Sequence, residues 1–94
     1  MDDAEKLAAT EAYQVILTKA AETLRAARRT RPVLTVEQGE RAALQVALAE
    51  LVSLYICDPA AIGGNDGAAW ILNRILATLG SASERQGLRE PTLH

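Results

Sequence analysis

Ninety-four residues with a net charge of -2 and a pI near 5.3 exclude a general nucleic-acid coat, because phosphate binding by counterion release needs a basic surplus. Hydrophobic residues make up 49% of the chain, yet they are mostly Ala and Leu with no Phe, so helix formers dominate and strand formers are scarce. A chain this short is at most one domain with a modest core, and its composition points to an all-α protein.

The opening stretch, MDDAEKLAAT, is acidic and lacks both a basic segment and an apolar segment, so no signal peptide is expected there. From Asp3 to about Arg29 the chain has no Gly or Pro, and Ala9, Tyr13, Ile16, Leu17, Ala20, Leu24 and Ala27 recur at threes and fours. That spacing predicts an amphipathic helix over 3–29, with Glu11, Thr18, Glu22, Arg25 and Arg29 on its opposite, wetted side. Its end is basic, with Arg25, Arg28, Arg29 and Arg31 in RAARRTR. Cations there complement the helix macrodipole, as Asp2, Asp3 and Glu5 do at the other end. Arginine is also the side chain suited to a two-pronged grip on carboxylate or phosphate.

Pro32 cannot continue that helix and pushes Arg31 out of the helical region. Thr35 and Gln38 have the form of a capping box, so a second helix is predicted over 36–57. Its first two turns are polar, with Glu37 and Arg41 as a favourable pair and Gly39 as a weak point. From Leu44 onward the stripe is Leu44, Ala47, Leu48, Leu51 and Tyr55, while Val46, Val52, Leu54 and Ile56 widen it almost around the helix. A helix apolar on most sides is usually buried on most sides. Two neighbours within so small a chain do not suffice, and a homodimer burying Val46, Val52, Leu54 and Ile56 is expected.

Asp58 and Pro59 suit the start of a short helical turn near 58–62. The glycines of GGNDG stop it, and Asn65 or Asp66 can cap a third helix over 67–79 that ends at Gly80. The stripe of this helix is Ala68, Ile71, Leu72, Ile75, Leu76 and Leu79. The remainder, SASERQGLREPTLH, has no periodicity and is expected to be disordered over 83–94, leaving a single domain over 1–82. The fold class is therefore a helical hairpin with a third, shorter helix returning along it.

Trp70 lies opposite the third helix's apolar stripe, on the side of Asn73, Arg74 and Ala77. Arg74 is four residues on, within reach of a cation–π contact. Trp70 either folds back over Pro59, Ala60 and Ile62 as core, or it anchors a contact with another copy or a foreign partner.

Little supports catalysis. The sole histidine, His94, stands at the end of the tail, which removes the imidazole that serine and cysteine nucleophile systems use as base. One Cys and one His fall short of a zinc site. Cys57, the single cysteine, reads as an inert buried thiol and fits a reducing cytoplasm. GGNDG matches no phosphate-binding fingerprint, and Asp58 and Asp66 read as caps rather than calcium ligands. No apolar run approaches the roughly 18 residues of a membrane span.

These features favour a cytoplasmic, non-enzymatic interaction protein without metal or cofactor: a regulator, inhibitor or adaptor that occupies a surface of a larger protein. Trp70, Asn73 and Arg74 would anchor that contact, and Arg25, Arg28 and Arg29 would steer an acidic partner. Two alternatives stay open. One is an oligomeric module holding a small anion such as a nucleotide between protomers by those arginines and Tyr13 or Trp70. The other is a local nucleic-acid contact through Arg25–Arg31.

Overall fold

The computed structural model describes residues 1–31, 33 and 35–79. Expectations for Gly80 and for a disordered tail over 83–94 lie outside the described residues. Within them the protein is all-helical: α1 spans Asp3–Thr30, α2 spans Val36–Cys57, a short 3-10 turn spans Pro59–Ile62, and α3 spans Gly64–Leu79.

Each long helix begins where its side chains can replace missing backbone partners. Asp2 accepts from the Glu5 N–H at 2.8 Å, and Glu5 accepts in return from the Asp2 N–H at 3.2 Å. The same reciprocal cap joins Thr35 and Gln38 at 3.1 and 3.0 Å, as their spacing predicts. α1 stops at Arg31, whose φ of -133° and ψ of 79° lie outside the helical region, which a following proline disfavours.

α2 folds back antiparallel to α1, and an exposed ion pair between Lys19 and Glu50 at 3.2 Å spans the two. Its worth is about 0–1 kcal/mol, so burial holds the hairpin together. Ala9, Tyr13, Ile16 and Ala20 of α1 face Ala43, Ala47 and Leu51 of α2, and Leu17, Leu44 and Leu48 pack half-buried around them. The alanines at this contact let the two helices approach closely.

α3 then runs beside α1 in the same direction. Its first turn sits against the start of α1, and its last turn reaches Tyr13. The sequence places the start of this helix at 67; it begins three residues earlier, at Gly64, so Asn65 and Asp66 lie in its first turn rather than capping it. Two left-handed glycines make the early start possible, Gly63 with φ 92° and Gly64 with φ 70°.

The buried line of α3 is Gly67, Ile71 and Ile75, narrower than the expected stripe. Leu72 and Leu76 are exposed, and Ala68 and Leu79 are half-buried. The cause is at the glycines. A Cβ on Gly67 would lie 2.1 Å from the Ile62 carbonyl oxygen and 3.5 Å from the Ala9 Cβ, and one on Gly63 would lie 2.6 Å from the Glu5 carbonyl oxygen. Gly63 thus seats the start of α3 against α1 and Gly67 seats it on the 3-10 turn, and in this setting the Leu72–Leu76 edge faces outward.

Helix propensity alone makes Gly67→Ala stabilising by about 1 kcal/mol. The contact with Ile62 backbone predicts the reverse, a loss of about 2–3 kcal/mol from overpacking. Gly64→Ala has room beside it and should lose only about 1 kcal/mol, from its positive φ. Urea unfolding of the two variants checks the order.

Candidate interaction surfaces

Three regions carry the side chains singled out in the sequence. The first is the α1–α3 seam. Trp70 packs edge-to-face on Tyr13, ring centroids 5.9 Å apart at 80°. The Arg74 guanidinium lies 5.7 Å from the Trp70 ring and 6.0 Å from the Tyr13 ring, covering both from the solvent side. The Tyr13 hydroxyl shares a 2.8 Å hydrogen bond with Thr78, closing the cluster one turn further along α3.

The Arg74 contact anticipated from the i,i+4 spacing is therefore present. Trp70 is half-buried and packs on α1, while Pro59 and Ala60 of the 3-10 turn are exposed. Tyr13 is buried, so its ring is not open to a nucleobase. Arg74 and Asn73 remain exposed.

The second region is the end of the hairpin. Arg25, Arg28, Arg29, Arg31 and Arg41 are all exposed there. On α1, Arg25, Arg28 and Arg29 stand at i, i+3 and i+4 and so share one face of the helix. Arg31 and Arg41 come together from separate elements, lining with Thr30, Gln38 and Gln45 a shallow depression of about 650 Å³. The opposite end carries Asp2, Asp3, Asp58 and Asp66, all exposed. The described residues are thus polarised along the bundle, basic at the hairpin turn, where five arginines outnumber Glu37 and Glu40, and acidic where α1 and α3 begin.

The third region is the outer surface of α2 and α3. Val52 is 56% exposed, Ile56 73%, Leu72 40% and Leu76 38%. Between the two helices lies a shallow apolar hollow of about 300 Å³, bordered by Leu51, Tyr55, Ala68 and Ala69. Tyr55 donates a hydrogen bond to Asn65 at its end, linking the helices. Of the four side chains expected to bury a dimer, Val52 and Ile56 lie on this surface. Val46 and Leu54 are half-buried and pack against the chain's own core.

Sequence periodicity placed Leu72 and Leu76 in the core and did not single out Tyr13 as the partner of Trp70. The missed signal is a second periodicity. Val52 and Ile56, and Leu72 and Leu76, each stand four apart on the outward side of their helices, beyond the line that the core needs.

Among the described residues no group of three or more His, Cys, Asp or Glu side chains converges as a metal site would require. Cys57, read as buried, is exposed at the last residue of α2. No helix among the described residues is long and apolar enough to cross a membrane. No family model, curated protein or solved structure matches this chain.

The α1–α3 cluster makes a stability prediction. Trp70→Ala should lose about 2–4 kcal/mol, well above a surface substitution, because it removes most of what covers Tyr13. A double-mutant cycle of Trp70→Ala with Tyr13→Leu, followed by urea unfolding, should give a coupling of about 0.5–1.5 kcal/mol. Zero coupling would mean the rings do not meet.

Proposed function

We propose that this chain is a small non-enzymatic interaction protein that acts as a homodimer and occupies an acidic surface of a larger protein, as a regulator, inhibitor or adaptor. The observation that carries this reading is the exposed basic end of the hairpin. Five of the chain's ten Lys and Arg residues stand there, although the chain as a whole is acidic. Clustered guanidinium groups on a projecting helix end raise the encounter rate with a negative surface and grip carboxylates in pairs. Arg25, Arg28 and Arg29 are assigned to that contact. Trp70, Asn73 and Arg74 stay assigned to its anchor: Asn73 and Arg74 are exposed, and Trp70 lies half-buried beneath Arg74.

A second reading has its own support. The depression that brings Arg31 and Arg41 together with Gln38 has donors suited to a small anion. Saturable heat on titrating nucleotides, lost in Arg41→Ala, would favour it over a protein partner. A retention that falls steeply with salt and requires nucleic acid would favour the arginine cluster as a phosphate contact.

The direct test is capture from native lysate on immobilised wild-type chain beside a variant carrying Arg25→Ala, Arg28→Ala and Arg29→Ala. These side chains are exposed, so the variant should fold, losing only about 1 kcal/mol or so of macrodipole complement. One acidic protein retained in stoichiometric amount by wild type, and reduced about tenfold or more by the variant, is the expected result. Retention of no protein in such amount would sink the reading.

A further inference from the structure

We infer that the uncharged outer face of α2 and α3 is the surface on which a second copy of this chain docks, two-helix layer on two-helix layer, to complete a four-helix core. This rests on the interaction-protein reading only for its purpose. Its physical basis is separate.

The exposed positions Gln45, Ala49, Val52 and Ile56 of α2 follow one another at intervals of four, three and four residues. On α3, Asn65, Ala69, Leu72 and Leu76 are all exposed and repeat the same intervals. Alternating steps of three and four average 3.5 residues, the spacing that keeps a seam facing a partner helix along its length. Inside the chain these seams have no partner, since the core is served by Ala47 and Leu51 on α2 and by Ile71 and Ile75 on α3. Tyr55 and Asn65 tie the two helices together, so both seams are presented as one layer.

The chemistry of the face selects the occupant. From Ala42 onward the only charged side chains of α2 and α3 are Glu50, Asp66 and Arg74. Glu50 turns to Lys19 of α1, Arg74 covers the rings of Tyr13 and Trp70, and Asp66 lies in the first turn of α3, off this seam. An oppositely charged partner would find no counter-charge, whereas a copy of the same chain meets no like charge. A two-fold interface must be complementary to itself, and apolar ridges at Val52–Ile56 and Leu72–Leu76, flanking the small side chains of Ala68 and Ala69, meet that demand. The alanines leave room for the partner's ridge.

Size fits a reversible dimer. The 16 residues of α3 extend about 24 Å, and two packed helices about 10 Å apart present a layer about 20 Å wide. The footprint is then about 500 Å² on each copy, or about 1,000 Å² in total, at the lower bound for a specific interface.

Sedimentation of the purified full-length chain across a micromolar concentration series tests this without any foreign protein present. Wild type should shift from monomer to dimer mass. Val52→Glu and Leu72→Glu, at exposed positions, should stay helical and weaken the dimer about a hundredfold or more, since each copy would bury an unpaired carboxylate. Thr18→Glu, on the far side of α1, should leave it unchanged. A monomeric wild type, or a dimer indifferent to both face variants, overturns the inference. Should the Glu variants unfold, Ala69→Cys in a Cys57→Ser background decides: a short bis-maleimide should link two copies through position 69, and no link above that of Thr18→Cys in the same background overturns it. Failure here leaves any captured partner intact, and failure of the capture leaves the dimer intact.

Discussion

The seating of Gly63 against α1 and of Gly67 against the 3-10 turn is the constraint on which the arrangement of this chain depends. At neither position is there room for a methyl group, because the Glu5 carbonyl lies against Gly63 and the Ile62 carbonyl against Gly67. Contacts of this kind permit one rotation of α3 about its own axis. Once that rotation is set, Ile71 and Ile75 enter the core, the Trp70 edge meets α1, and the leucine edge faces water. The hydrophobic effect alone would have preferred to bury Leu72 and Leu76. Backbone sterics win because a clash at 2.1 Å has no soft alternative, whereas two partly exposed leucines can be covered by another molecule.

Tyr13 belongs to both halves of this outcome. It is a core residue of the α1 stripe, and it is also the surface against which Trp70 and Arg74 stack. Its hydroxyl needs a partner to be tolerated near the core, and Thr78 supplies one. An aromatic ring in this position lets a protein with only three aromatic residues seal a helix–helix seam that leucine and alanine leave open.

Much of this was legible in the sequence. The 3.6-residue period gave the faces of α1, including the wetted positions Glu11, Thr18, Glu22, Arg25 and Arg29. Thr35 and Gln38 marked the start of α2 because a capping box is a local hydrogen-bond pattern, readable without knowing any neighbour. The rotation of α3 was not legible. Periodicity identifies an apolar sector, but which edge of it is buried depends on how near the neighbouring backbone can come, a tertiary fact. Trp70 was misread as outward for the same reason: its position on the wheel is polar-facing, yet α1 lies on that side. Of the side chains considered for partners, the arginines are exposed, and Trp70 is half-buried between Tyr13 and Arg74.

Unequal helix lengths have a dynamic consequence. α1 has 28 residues and α3 has 16, about 42 and 24 Å, and α3 begins level with Glu5, so α1 continues about 15 Å beyond the end of α3. Over that distance the described residues form only a two-helix layer, with small side chains such as Ala43 at the contact. A two-helix layer loses its hydrogen bonds in openings smaller than global unfolding, so protection from amide exchange should grade downward from the glycine turn to the hairpin tip. The arginines therefore ride on the segment with the lowest local stability, free to adjust their backbone to a partner while the three-helix end keeps its shape.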